Sequence, residues 1–187
     1  VILDACRVPD RARLAGGGDF LAALGRGFSR LSVVTAGAAV GLGRAAWEIT
    51  RDYCETRKAF GKPIGHFQAI AFTMADRLMD VESARWLLWR ACAQWDAGRY
   101  DARAVAVAAA QAQEAAMRSA DDAVQLHGGM GFMRDLPVEK MMRDAKTLAL
   151  VGMSTAALDQ VTAMADLKVG RDVEATLPTP DIQPVFT

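Results

Sequence analysis

Two short stretches hold the side chains best suited to gripping an anion. The first reads Arg57-Lys58-Ala59-Phe60-Gly61-Lys62-Pro63-Ile64, followed by His66-Phe67-Gln68. A guanidinium at a helix end, beside a glycine turn and an amide side chain, can hold a phosphate through paired N–H donors. The same residues also fit a plainer role, a cation set against the negative end of a helix. The second stretch reads Gln125-Leu126-His127-Gly128-Gly129-Met130-Gly131-Phe132. Its glycines let backbone N–H groups approach an anion with no Cβ in the way, or they simply end a helix. A helical pattern rather than a strand precedes them, so this is not the dinucleotide-binding fingerprint. No Gly-Lys-Ser/Thr follows, so it is not a nucleotide P-loop either.

Other chemistries find no foothold. His66 and His127 both fall in these turns, and neither follows a glutamate by three residues as in di-iron bundles. A nucleophile elbow and a His-Glu-x-x-His zinc helix are missing, and no metal site is expected. Cys6, Cys54 and Cys92 are odd in number and widely spaced. They read as free, buried or half-buried thiols of a reducing cytoplasm rather than a disulfide framework. Lysine plus arginine equals aspartate plus glutamate, 22 of each, which leaves no footprint for nucleic acid or an anionic membrane. No uncharged apolar run reaches the ~18 residues of a membrane span. With 187 residues and 52% hydrophobic content, the chain suits one soluble domain with a full core.

Long helices must position the two turns. Leu21, Leu24, Phe28, Leu31, Ala38, Leu42, Ala45, Ile49 and Tyr53 mostly follow steps of three and four, predicting one amphipathic helix from Phe20 to about Thr56. A second should run from near Phe67 to Ala97, with Ile70, Met74, Leu78, Val81, Leu88, Cys92 and Trp95 inward and Gly98 as its stop. The third, about Asp101 to Leu126, is rich in alanine at Ala104, Ala108, Ala112, Ala115, Ala116, Ala120 and Ala123. Alanine forms helices best and permits close approach, so this helix belongs at the centre. Pro137 should start a fourth helix, Val138 to about Val151, and a last one spans roughly Thr155 to Val169. Trp47, Trp86, Trp89 and Trp95 all fall within helical segments and read as packing residues. The expected fold is therefore all-α, an antiparallel up-and-down four-helix bundle over residues 19–170. A short strand over Val1 to Pro9 precedes it, and a loosely ordered tail, 171–187, carries Pro178, Pro180 and Pro184. The opening at Val1, without methionine or signal peptide, reads as a chain entered midway, so a fragment is expected.

Taken together, the two turns are far more specific than either alone. Arg57 to Ile64 with Phe67-Gln68 resembles the arginine-x-x-phenylalanine-glycine signature of acyl-CoA dehydrogenases, and Gln125 to Phe132 resembles that family's glutamine-x-x-glycine-glycine-x-glycine turn. Pro137-Val138-Glu139-Lys140-Met141-Met142-Arg143-Asp144-Ala145-Lys146 is similar to the run that follows in the family. The likeness covers Val1 to about Val169. It implies a C-terminal helical bundle, with residues 1–18 as the end of a middle β-domain. It also implies flavin adenine dinucleotide (FAD) as cofactor, with its adenosine diphosphate end reaching a neighbouring subunit. That neighbour's contacts map onto Arg57, Phe60, Gln68, Gln125, Gly128 and Gly129. A homo- or hetero-oligomer of at least two subunits follows from a shared site.

The resemblance further implies FAD-dependent α,β-dehydrogenation of an acyl-CoA thioester, within fatty acid metabolism. A glutamate removes the α-proton while hydride leaves the β-carbon for the flavin. The family's usual glutamate position falls at Gly152, and a second known position falls at Leu31. Neither can act as a base. The arginine that often follows the second position is Ser32 here, and the threonine that touches FAD becomes Ser154. Three accounts stay open, and the catalytic residue is unknown. The first is a dehydrogenase whose base lies elsewhere. The second is a base-lacking subunit of a heteromeric enzyme that lends FAD contacts. The third is a flavin-binding homologue without catalysis.

Overall fold

The computed structural model describes residues 2, 4–12, 20–151 and 153–167. Gly152 and the proline-containing tail therefore lie outside the described residues. Five α-helices account for most of what is described: α1 (Phe20–Thr56), α2 (Gln68–Asp96), α3 (Ala102–His127), α4 (Val138–Leu148) and α5 (Thr155–Leu167). A two-stranded antiparallel hairpin, β1 (Lys58–Ala59) and β2 (Lys62–Pro63), joins α1 to α2.

The alanine-rich α3 is the central helix, touching each of the other four. Ala104, Ala108, Ala112, Ala115, Ala116, Ala120 and Ala123 are all buried, as their spacing predicts. With methyl side chains at the contact, backbones can approach closely. A Cβ added at Gly43 of α1 would lie 3.2 Å from the Ala116 Cα and 3.3 Å from a Val81 methyl, so α1, α2 and α3 nearly meet there. The Ser119 hydroxyl donates to the Gly43 carbonyl at 2.9 Å in the same crevice. Asp101 caps α3, its carboxylate accepting from the Arg103 and Ala104 amides at 3.0 and 3.2 Å.

The helices run up and down. Tyr53 near the end of α1 stacks on His127 at the end of α3, ring centroids 4.2 Å apart, so these two helices finish together. The fourth side of the bundle is divided between α4 and α5. Thr155, at the start of α5, meets Gln113 in the middle of α3, and Asp166 near its end pairs with Arg103 at the start of α3. Consequently α4 ends at Leu148, three residues short of the expected Val151, and an irregular segment separates the two helices. Buried Gln113 ties that segment down. Its amide donates to the Met153 carbonyl at 3.2 Å and accepts from the Thr155 hydroxyl at 3.0 Å.

Several sequence expectations need correction. Leu24, Phe28 and Leu31 were expected inward, yet each is about two-fifths exposed, at 43%, 41% and 40%. Phe28 and Leu31 lie level with the start of α3, Phe28 against a cavity and Leu31 on an uncovered face, and helix length explains Leu24. At 1.5 Å per residue, the 37 residues of α1 exceed the 26 of α3 by roughly 16 Å, and because their C-terminal ends coincide, the N-terminal end of α1 overhangs. Leu78 is likewise 38% exposed. Trp86 and Trp89 point outward at 61% and 51% exposure, while only Trp47 and Trp95 pack as expected. Cys54 and Cys92 are buried and half-buried, but Cys6 is exposed. Among the described residues of the first nine there is no strand, since a lone extended segment has no neighbour to complete a ladder. Ile2 is 95% exposed, and the first regular element is a 3₁₀ turn at Asp10–Ala12.

Candidate functional site

The Tyr53–His127 stack fixes where the two anion-gripping turns lie. Arg57 follows Tyr53 by one helical turn, its amide donating to the Tyr53 carbonyl at 2.8 Å. Gln125 precedes His127 by two residues, and the Gly128 amide donates to the Gln125 carbonyl. The two turns therefore sit at the same end of the bundle. His127 itself is buried at 3% exposure, with Nδ1 2.7 Å from the Ala123 carbonyl. It holds the two helix ends together and is not available to a ligand, whereas His66 is exposed.

After α1, the chain makes a tight hairpin with Lys58 opposite Pro63 and Ala59 opposite Lys62. Its two tip residues, Phe60 and Gly61, both have positive φ, +50° and +82°. That combination matches a two-residue hairpin turn whose twist suits the flanking strands. Glycine adopts it freely, but for phenylalanine it costs on the order of 1–3 kcal/mol. Phe60 is also 97% exposed, so its ring is presented to solvent at the tip of the hairpin. It meets Phe67 edge-on at 6.3 Å, and the Lys62 ammonium lies 4.4 Å from the Phe67 ring centroid. Gln68 opens α2 directly beyond, with its side chain exposed. Arg57, Lys58 and Lys62 are all exposed, and among the described residues none is paired with an acid.

The second turn is a 3₁₀ segment over Gly128–Phe132. Gly128 has φ +59° and ψ −137°, a conformation that only glycine reaches easily. A Cβ at Gly129 would meet nothing within 4 Å, so its peptide faces open space. Gly131 is the opposite case: a Cβ there would lie 2.2 Å from the Val124 carbonyl oxygen. Thus Gly131 folds the turn back onto α3, and Gly128 and Gly129 stand exposed at its outer edge. Exposed, unpaired cations, amide side chains and bare backbone N–H groups at one bundle end fit the diphosphate of a dinucleotide.

A second feature lies at the opposite end. A cavity of about 530 Å³ opens between the start of α1, the start of α3 and the segment joining α4 to α5. Phe28, Val105, Leu158 and Val161 give it apolar walls, while Ser32 and Ser154 contribute hydroxyls. Ser29 and Tyr100, also in the wall, share a hydrogen bond of 2.8 Å. None of the described residues lining it is acidic. Leu31 lies on the uncovered face of α1 beside it, and Gly152 falls outside the described residues. No group of three or more potential metal ligands occurs among the described residues, and no described helix is long and apolar enough to cross a membrane.

Sequence reasoning missed the hairpin, the strain at Phe60 and the Tyr53–His127 stack. A Phe-Gly pair is not the usual hairpin signal, because asparagine or aspartate normally precedes the glycine. Nothing in the spacing revealed which aromatic would meet His127.

Residues 21–163 match the family model described as acyl-CoA dehydrogenase, C-terminal domain. A probable acyl-CoA dehydrogenase of Bacillus subtilis, YngJ, is 36% identical over 165 residues, covering 86% of this chain and 42% of that protein. The 3-sulfinopropanoyl-CoA desulfinase of Paraburkholderia xenovorans is also 36% identical, over 132 residues, covering 70% of this chain and 34% of that protein. Among solved structures, butyryl-CoA dehydrogenase from Megasphaera elsdenii superposes with a TM-score of 0.80 at 32% identity, covering 86% of this chain and 42% of that one. A glutaryl-coenzyme A dehydrogenase–glutaryl-CoA complex gives 0.81, also at 32% identity, covering 87% and 42%. The chain thus spans less than half the length of these relatives, whose names cover more than one reaction. With the family model matched over most of its length and its helices superposing on solved members, the chain belongs to the acyl-CoA dehydrogenase family, a family of flavoproteins, and carries its C-terminal domain.

Proposed function

We propose that this chain is the C-terminal half of an oxidoreductase that binds FAD and dehydrogenates an acyl-CoA thioester between its α- and β-carbons. The observation that carries the reading is the convergence of the two turns at one bundle end, fixed by the Tyr53–His127 stack. In this reading Arg57 and Gln125 hold the diphosphate of an FAD lodged mainly in a neighbouring subunit. Gly128 and Gly129 bring backbone N–H groups to it, Gln68 adds an amide, and Phe60 covers the adenosine side. Residues 1–18 end the β-domain that completes the site, and residues 171–187 form a tail. When bound, FAD supplies the acceptor for the hydride. The apolar cavity at the other end receives the acyl group, and Ser154 offers a hydroxyl beside it. The free thiols suit a reducing cytoplasm.

A second reading is favoured by one specific observation, the lack of an acid among the described cavity-lining residues together with leucine and glycine at the two base positions. In it, the chain is the base-lacking subunit of a mixed oligomer and lends its diphosphate contacts to a companion that carries the glutamate. Anaerobic bleaching of the flavin in the intact protein, on adding straight-chain and branched acyl-CoA thioesters, separates the two. Bleaching by the protein alone supports the first reading. Bleaching only after a glutamate-bearing companion is added supports the second. Failure of the intact protein to retain FAD in any assembly refutes both.

A further inference from the structure

The cavity between the starts of α1 and α3 holds a hydroxyl pair with a proton to spare. No described residue lining it carries a charge or a side-chain amide, and its polar side chains are Ser29, Ser32, Tyr100 and Ser154. Ser32 donates to the Phe28 carbonyl of its own helix at 3.0 Å. Thr50, Thr73, Ser83 and Thr147 do the same one turn back, the usual habit of a helical hydroxyl. The Ser154 oxygen accepts from the Ala157 amide at 3.4 Å, and its hydroxyl is exposed to water. Ser29 behaves differently. It is only 7% exposed, and among the described residues its one hydrogen bond is the 2.8 Å contact with the Tyr100 hydroxyl.

Two hydroxyls bring two protons and share one bond, so one O–H of the pair is left over. A phenol is more acidic than an alcohol and is the better donor. Tyr100 therefore donates, Ser29 accepts, and the spare proton is the one on the buried serine. Leaving such a donor unmet is costly. The pair is also held in place, since Trp95 meets the Tyr100 ring edge-on at 5.1 Å and the Arg30 guanidinium lies 5.8 Å from the Trp95 ring centroid. A fixed donor in an otherwise apolar wall selects its ligand by chemistry. An uncharged acceptor oxygen, as in a hydroxyl or a ketone, satisfies it. A carboxylate would also accept, but no cation lines the cavity to offset its buried charge. A plain alkyl chain leaves the donor unmet.

We propose that the cavity selects acyl groups that carry an uncharged oxygen, a hydroxyl or a ketone, and that the Ser29–Tyr100 pair recognises it. This rests on the reading above, in which the cavity receives the acyl group of a coenzyme A thioester. The test is equilibrium dialysis of the intact, flavin-loaded protein against acyl-CoA analogues with sulfur in place of the β-carbon, which bind without losing hydride. Chain length is varied so that the terminal group sweeps the cavity, and methyl, hydroxyl, methyl-ketone and carboxylate ends are compared. At the length that brings the oxygen to the pair, the hydroxyl or ketone should bind about 3- to 10-fold tighter than the methyl, and the carboxylate more weakly than either. Ser29→Ala combined with Tyr100→Phe removes both hydroxyls with little change of shape, a paired loss that is nearly neutral for folding. It should bring the ratio of oxygenated to methyl-ended affinity down to about one, with denaturant unfolding confirming the fold. The inference is overturned if no chain length favours the oxygen, if the carboxylate binds tightest, or if the preference survives in the folded double variant. If none of the thioesters binds, the assignment of the cavity to an acyl group falls with it.

Discussion

Replacing Gly129 or Gly131 by alanine adds the same single methyl to the same turn, yet the two changes should fail differently. At Gly131 the new Cβ would lie 2.2 Å from the Val124 oxygen, 3.0 Å from its carbonyl carbon and 3.1 Å from its Cα. All three are backbone atoms of α3, so no side chain can rotate away. Overpacking costs about 1–3 kcal/mol where neighbours can adjust, and a rigid helix backbone places this change near the upper end, about 3 kcal/mol. At Gly129 no atom lies within 4 Å and the residue is not in the positive-φ region. There alanine should be neutral or stabilise the fold by up to about 1 kcal/mol through the unfolded chain. What it removes is close access to the backbone N–H groups. Losing one hydrogen bond to a charged group costs about 1.5–3 kcal/mol, which is roughly a 10- to 150-fold loss of FAD affinity. The assay pairs denaturant unfolding of the apoprotein with FAD titration of the intact oligomer. Full FAD affinity in Gly129→Ala would refute the diphosphate cradle. Unchanged unfolding in Gly131→Ala would refute the packing argument.

Three further outcomes follow from individual contacts. Gln113→Ala should cost about 1 kcal/mol, since its two partners are half-buried and water can reach them, and should speed amide exchange around Met153 and Thr155, because the Gln113 side chain bridges both to α3. Burial pushes the Cys54 thiol above its ordinary value, so less of it is thiolate at pH 8; a disulfide reagent should label exposed Cys6 promptly and Cys54 only on unfolding. The Arg143 guanidinium, hydrogen-bonded at 2.9 Å, holds Glu139 below the usual carboxylate range, so the stability this pair adds is present above about pH 4.5 and is lost as pH falls through the lowered value. Comparing acid unfolding of Glu139→Gln with the parent should show a difference at neutral pH that closes in acid.

The fold was legible where one face of a helix differed from the rest. The alanine row of α3 could be placed at the bundle centre because only close contact on several sides makes use of so many methyl-sized residues. The long run of α1 gave its length correctly but not its burial. Periodicity reports which residues share a face, not whether a neighbour covers it: Leu24 lies where α1 outruns α3, whereas Phe28 and Leu31 lie level with the start of α3, Phe28 in a cavity wall and Leu31 on an uncovered face. Helix α2 was read correctly on its inner face, where Val81 and Leu88 are buried and Ile70, Met74, Cys92 and Trp95 half-buried, but its second apolar face was not foreseen. Trp86 and Trp89 were assigned to packing within the bundle from residue type, and they lie outside it.

The candidate site divides along the same line. Arg57, Phe60, Gln68, Gln125, Gly128 and Gly129 could be named from residue type, because diphosphate recognition needs guanidinium, amide and bare backbone whatever the surrounding fold. Their meeting at one bundle end depended on helix direction, which alternation along the chain supplies. The cavity could not be foreseen. It arises where the fourth side of the bundle breaks between α4 and α5, and the sequence there reads as one more helical turn. The break also bears on catalysis. Gln113 fixes the carbonyl of Met153, the residue after Gly152, onto the most buried helix of the bundle. Gly152→Glu tests restoration of a base at the family's usual position, next to the tethered Met153, whereas Leu31→Glu tests a position on the uncovered face of α1.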